Sequence, residues 1–412
     1  MAVPVFCLVW WLVAWSDARA GRERNDFLNY SLRAAEVISA GQDPYDREIV
    51  GRNYNYFPLN ATLLLPLTHL SHPSAQGFWT ALNLYFVVGI VFFGGRLAGR
   101  EGERRWVWAV AVLLAARFFA DNLKLGQWNT SVCFLTFLGL YLVACRRPLA
   151  GGISISLAAG LKYMPVFFLP YLLLKKQWKA SLAMVCGAAF WILVLPSVVL
   201  GPKTHAFLFR RFIEHGLEHT RGMVEGTAVN GHSLFVFVYR LMTPAFDKSK
   251  AGYPPVRINL FDFSPGAAEN VALIVVGLLV IFTLWVLFRG RSRKPREGIT
   301  GDEVALVFAV LLMVSPEARK AQFLTLFLPF TVLLAKATQP ALEWRVRIPA
   351  VACLAWSAAM LLLSSRGVVG GHLAYRICQL GSYTSILVVL FASLAWYILR
   401  GQVLSSDREE GG

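Results

Sequence analysis

Apolar residues in this chain run in long stretches, and charged residues mark the breaks between them. The runs fall at 1–16, 75–95, 106–120, 127–145, 148–161, 163–174, 178–200, 265–288, 302–314, 321–338, 345–364 and 383–400. A helix needs about 20 apolar residues to cross a hydrocarbon core of roughly 30 Å. The pattern therefore predicts an all-α fold, a polytopic transmembrane helical bundle of about 12 membrane helices. The shorter runs are expected to be kinked or buried among their neighbours. Segment 57–71 is apolar but short and broken by Pro58 and Pro66. It reads as a membrane-dipping or re-entrant piece, tolerable only where protein buries it. Met1–Trp15 ends near Ala18-Arg19-Ala20 and resembles a cleavable signal. It lacks a basic start and is rich in Trp, which favours an uncleaved first helix.

Composition supports the same class. Of 412 residues, 56% are hydrophobic and 16% charged, against about 25% charged in an ordinary soluble domain. That balance argues against a soluble enzyme, a disordered chain and a nucleic-acid-binding domain. The net charge of +16, from 40 basic and 24 acidic residues, still calls for an account. Its clusters at Arg96–Arg105, Arg146–Arg147, Lys175–Lys179, Arg289–Arg296, Lys336–Arg347 and the C-terminal tail fit one cytoplasmic face. The short loops opposite carry only Lys124, Lys162, Arg319, Lys320, Arg366 and Arg376. Topology thus explains the basic excess, with both termini inside, and no nucleic acid is needed. The expectation is a single integral domain over 1–412 in the cell (inner) membrane. Two long extracytoplasmic segments, 17–56 and 201–264, should carry short helices and the function. All seven histidines fall on that outer face. The cysteines show no CxxC spacing, so neither zinc nor a disulfide framework is indicated, and Cys378 reads as a lone loop residue.

Several outer residues could carry chemistry. Asp26 should sit at the rim of the bilayer before a helical stretch, Ser31 to Ala40, that could lie along the membrane surface. From position alone it reads as a helix cap or as a general base. Gln127 and Asn129 open an apolar helix on the outer side, where unpaired N–H groups suit a phosphate or sugar; capping is the plainer alternative. Lys162 lies between two apolar runs and is costly there unless it snorkels or binds an anion. Arg319 and Lys320, with Arg210 and Arg211 behind them, are further cations for a phosphate. In Asp43-Pro44-Tyr45-Asp46, Tyr45 and Asp43 read as turn or acceptor-lining residues. His215-Gly216-Leu217-Glu218-His219 fits an inverted zinc-protease pattern, but a third ligand is wanting, and no metal site is expected. No phosphate-binding loop or dinucleotide fingerprint occurs, so no cofactor is expected. The main rival to an enzyme is a transporter or a lipid or glycan flippase. Repeated halves with midplane polar residues would mark it, and the chain shows no clear repeat.

In order, Asp26-Phe27, Tyr30, Ala34-Ala35, Gly41 and Pro44-Tyr45 resemble the opening signature of glycosyltransferase family 87, polytopic enzymes of the GT-C superfamily. Phe57-Pro58-Leu59, Pro66-Leu67, Leu82-Asn83 and Gly126-Gln127-Trp128-Asn129 are similar to its next blocks. Ala150-Gly151, Gly160-Leu161-Lys162, Pro165 and Tyr171-Leu172-Leu173 match its most recognisable stretch. Asn230, Ser233, Leu234 and Arg240, then Ser315-Pro316, look like its later elements. The resemblance implies a mannosyltransferase-like enzyme that moves a hexose from a polyprenyl-phosphate-linked sugar donor on the extracytoplasmic side; the expected acceptor is a lipid or glycan, and a single displacement would give inversion. It implies that Asp26 is the catalytic base and supports Lys162 as a functional cation; Arg319, Lys320, Gln127, Asn129, His232, Gln322 and Tyr45 complete the candidate set for donor phosphate and substrate. One position departs: the family often has a histidine shortly after Ser-Pro, where this chain has Gln322. Gln can donate a hydrogen bond but cannot take up a proton.

Overall fold

A computed structural model describes residues 26–50, 54–99, 104–227, 231–244, 256–291, 298–316 and 318–400, with backbone alone for 217–227 and 291. The first apolar run, Arg24-Asn25, Asn230 and the C-terminal tail lie outside these residues, as do the side chains of Glu218 and His219. Every apolar run from residue 75 onward lies on a helix, and no strand occurs among the described residues. Seven described helices are long and apolar enough to cross a membrane: His72–Leu97, Arg105–Leu125, Trp178–Leu200, Pro265–Gly290, Lys320–Thr338, Trp344–Leu363 and Ser382–Arg400. Asn129–Ala144, Pro148–Leu161 and Met164–Leu174 are apolar but shorter. Leu182, Val198 and Ile281 leave their side chains largely exposed on such helices, a loss in water but not against lipid tails. The protein is an all-α, multi-pass membrane protein.

Local sequence sets the helix ends. Pro58 and Pro148 open their helices, where a missing N–H costs nothing. Ser233 caps Leu234–Met242 by accepting from the Val236 N–H at 3.1 Å. Arg146 and Lys176 take left-handed dihedrals (φ 59° and 56°) just past two helix ends and turn the chain sharply.

The chain divides into two compact units, one formed by 1–93 and 117–220, the other by 94–116 and 221–412. In the first, Pro148–Leu161 packs between Asn129–Ala144 and Trp178–Ala189. Its Gly151 sits so near Gly139 that a Cβ would come within 2.6 Å of the Gly139 carbonyl oxygen. Small residues at such crossings let helix backbones approach where no hydrophobic force drives them together. Beside these helices, segment 57–71 forms the short helix Pro58–Leu64 and the 3₁₀ turn Leu65–His69. Nearly all of Pro58–Leu64 is buried, in a core with Phe27, Leu32, Tyr54, Trp79, Trp128 and Leu161. The protein enclosure that a re-entrant piece demands is present over Pro58–Leu64, whereas Pro66, His69, Leu70 and Ser71 are exposed.

In the second unit, Pro265–Arg291, Phe327–Thr338 and Ser382–Arg400 pack around Gly301–Val314. That helix is buried from Glu303 to Met313, as expected of one that is apolar on every side. Trp344–Leu363 packs on Phe327–Thr338 and Ser382–Arg400. Cys378 is not a loop residue: it is buried near the end of the helix Gly371–Gln379.

Candidate active site

The helical stretch expected near Ser31 starts earlier, as a π-helical turn Phe27–Leu32 that continues into Arg33–Ser39. Asp26 has helical dihedrals (φ −74°, ψ −19°) and makes no side-chain bond to the N–H groups of that turn. A capping carboxylate would make one. Instead, the Nε2 of Gln127, 101 positions away, donates to Asp26 Oδ2 at 2.5 Å. Asp26 is half-buried.

Gln127 belongs to a turn that is clamped from both sides. Gly126 has φ +64°, and the Trp79 indole N–H donates to its carbonyl at 2.8 Å. Phe27 stacks on Trp79 with ring centroids 4.8 Å apart. Trp79 meets Trp128 edge-on, and the Trp128 indole N–H donates to Ser31 Oγ at 3.2 Å. A Cβ on Gly126 would lie 2.9 Å from the Phe27 Cβ, so any side chain there pushes against the residue that follows Asp26. Gly126→Ala is expected to combine a left-handed strain of about 1 kcal/mol with displacement of Gln127. The outcome to check is a lower turnover rate in a protein whose Tm falls by only a few degrees.

From the turn the polar chain continues. Asn129 Nδ2 donates to Gln127 Oε1 at 2.8 Å and to Asn122 Oδ1 at 3.1 Å. Its Oδ1 accepts from Lys162 Nζ at 2.8 Å. Lys162 follows the last residue of Pro148–Leu161 in an extended conformation, where the negative end of the helix dipole favours a cation. Buried Asn60 donates to the Leu161 carbonyl at 3.1 Å, satisfying one of the acceptors a helix end leaves open. Asp26, Gln127, Asn129 and Lys162 are thus brought together, joined by Asn122, which the sequence reading did not single out. Asn122 is a fully buried polar residue on an apolar helix, and that was the available signal.

Tyr45 stands elsewhere in the same unit. Its hydroxyl donates to the Tyr56 carbonyl at 2.8 Å, and its ring lies against Tyr54, Phe212 and His215. Burial, then neighbouring Tyr54 and Asp43, holds its phenol well above the usual tyrosine range, so it stays neutral. Asp43 accepts from Tyr45 N–H at 2.9 Å and from Arg211 Nε at 2.6 Å. Arg211→Gln is expected to cost at most about 1 kcal/mol because the pair is partly exposed. It should appear as a small Tm decrease that shrinks further in high salt. His215 shares a hydrogen bond of 2.9 Å with Asn55. The other two positions of the zinc-protease pattern lie outside the described side chains, and no three-residue metal cluster occurs among the described residues.

The remaining candidates lie in the second unit, where His232 and Lys320 meet Tyr383, which sequence reasoning missed. The His232 ring lies 4.7 Å from the Tyr383 ring and the Lys320 ammonium 5.2 Å from it. Lys320 Nζ also reaches Cys378 Sγ at 3.6 Å. His232 is buried, its N–H bonded to the Ala318 carbonyl at 2.8 Å, while Thr384 donates to its carbonyl at 3.1 Å. Arg319 is exposed and precedes the 3₁₀ turn Lys320–Leu326. Within that turn, the buried Gln322 Oε1 has no hydrogen-bond partner among the described residues, an uncommon state for a buried acceptor.

Fold and polar cluster together define a multi-pass membrane protein with an acid, two amides and a lysine joined at one helix end. The chain belongs to glycosyltransferase family 87, whose family model matches residues 54–316, and is a membrane glycosyltransferase. The match includes Gln127, Asn129, Lys162 and His232; Asp26, Tyr45, Arg319, Lys320 and Gln322 lie outside it. The chain is 25% identical, over 87% of its own length and 81% of the relative's, to a polyprenol-phosphate-mannose-dependent alpha-(1-2)-phosphatidylinositol mannoside mannosyltransferase of Mycobacterium tuberculosis. It is also 30% identical to an alpha-(1->3)-arabinofuranosyltransferase of Corynebacterium glutamicum, over 39% of this chain and 40% of that one. No solved structure matches it.

Proposed function

We propose that this enzyme transfers a hexose, mannose in the first instance, from a polyprenyl-phosphate donor to a lipid or glycan acceptor on the extracytoplasmic side of the cell membrane. The observation that carries the reading is Asp26: half-buried, not spent on capping its helix, and oriented by Gln127. Asp26 takes the proton from the acceptor hydroxyl as that oxygen bonds to the anomeric carbon. The bond from that carbon to the phosphate oxygen breaks, and its electron pair leaves on the lipid phosphate. A lipid phosphate is already a fair leaving group, so the remaining task is to stabilise its charge. Arg319 and Lys320 are the cations assigned to it, with His232, Gln322 and Tyr45 lining substrate, and Lys162, Asn129 and Gln127 acting beside Asp26. The named donor of the mycobacterial relative supports the donor class.

A single displacement inverts the anomeric centre, so an α-linked product requires a β-linked donor. With purified protein in lipid nanodiscs, β-linked polyprenyl-phosphate mannose is expected to label an extracted envelope glycolipid, and the α-anomer is not. A β-linked product from the β-linked donor, which is retention, would remove single displacement. If labelled donor crosses a vesicle bilayer and no glycosidic bond forms, the chain is a transporter or flippase.

A further inference from the structure

The amides between Lys162 and Asp26 all point one way. Lys162 donates to Asn129 Oδ1, Asn129 Nδ2 donates to Gln127 Oε1, and Gln127 Nε2 donates to Asp26 Oδ2. Each side-chain amide accepts from the cation's side and passes a donor toward the carboxylate. Side-chain amides can flip, and a flip of either would set two carbonyl oxygens or two NH₂ groups face to face. Asn122 removes that freedom at Asn129. Its Nδ2 is bound to the Phe118 carbonyl at 2.9 Å, which presents its Oδ1 to Asn129 Nδ2. Asn129 and Asn122 are both buried, so the polarisation along the chain is not averaged away by water.

We propose that Lys162 and Asn122 are positioning residues for Asp26. Lys162 polarises the Asn129 and Gln127 amides, Asn122 fixes their direction, and together they hold one carboxylate oxygen so that the other faces the acceptor hydroxyl. The inference rests on Asp26 being the base, and it gives Lys162 a task separate from gripping the donor phosphate. The two tasks differ in kinetics. A lost contact to the phosphate of the bound donor raises the donor KM, whereas a misplaced base lowers kcat with the donor KM unchanged, and the Gln127→Ala background separates a misplaced base from lost stabilisation of the departing phosphate.

The test measures kcat and donor KM for Lys162→Met, Lys162→Arg, Asn129→Asp and Asn122→Leu, each checked for folding by its melting curve. Lys162→Met is expected to lower kcat about tenfold with donor KM within twofold of the parent. Lys162→Arg, which can still donate to Asn129, should recover most of the rate. Asn129→Asp keeps an acceptor for Lys162 but cannot donate to Gln127, and should be as slow as Lys162→Met. In a Gln127→Ala background, where the relay is cut, adding Lys162→Met should change kcat by less than twofold. Asn122→Leu, if it melts like the parent, should also lower kcat alone. A Lys162→Met protein that raises donor KM and spares kcat, or effects of Lys162→Met and Gln127→Ala that multiply, would overturn the proposal while leaving Asp26 as base. Full activity in Asp26→Asn would instead remove the base assignment itself.

Discussion

Asp26→Asn is expected to lower the rate of sugar transfer by about 10²–10⁴-fold, the usual contribution of a positioned general base, or about 3–5 kcal/mol of barrier. The substitution is a clean one here. Asparagine keeps an oxygen for the Gln127 Nε2 donor, and no helix cap is lost because Asp26 makes none. The altered protein should therefore melt like the parent, and the donor KM should stay close to the parent value. Asp26→Glu carries its carboxylate one methylene further from the backbone. It should recover part of the rate, since the clamp of Phe27, Trp79 and Gly126 fixes where the backbone sits. Initial rates with labelled donor, read beside melting curves, decide the matter. An Asp26→Asn protein at normal rate would show that the proton leaves by another route.

Much of the fold was legible because membrane solvation writes a coarse signal. Each apolar run from residue 75 onward lies on a helix, since a backbone in lipid must satisfy its own hydrogen bonds. The site was legible in its parts and not in its joins. Asp26, Gln127, Asn129 and Lys162 stood out as polar residues at the ends of apolar runs. Nothing along the chain shows that the first and last, more than 130 positions apart, meet through two amides. That meeting depends on the left-handed turn at Gly126 and on the aromatic clamp around it. Asn122 was hidden for a different reason. A polar residue inside a membrane helix signals a partner, but the partner's identity is set by packing. Tyr383 carries no charge and no motif, and Cys378 read only as a lone loop residue, so neither pointed to a site. Only in the fold does Tyr383 meet both His232 and Lys320.

The second large effect is expected at that tyrosine and its lysine. On the proposed reading Lys320 contacts the donor phosphate, so Lys320→Met should raise the donor KM by about 10–100-fold, the worth of a charged hydrogen bond of about 1.5–3 kcal/mol. The ammonium rests over the Tyr383 ring and beside Cys378 Sγ. Lys320→Arg should retain most of the affinity, since a guanidinium also pairs with phosphate. Tyr383→Phe keeps the ring and loses only the hydroxyl that meets Ser364 Oγ at 3.3 Å, so a change of a fewfold at most is expected. Tyr383→Leu removes the floor under Lys320 and the ring beside His232 together, and should raise the donor KM nearly as far as Lys320→Met. Competition by unlabelled polyprenyl phosphate separates this from a sugar contact: its inhibition constant should rise in step with the donor KM. If Lys320→Met left both constants at their parent values, the cation that holds the departing phosphate would have to be sought among the other basic residues.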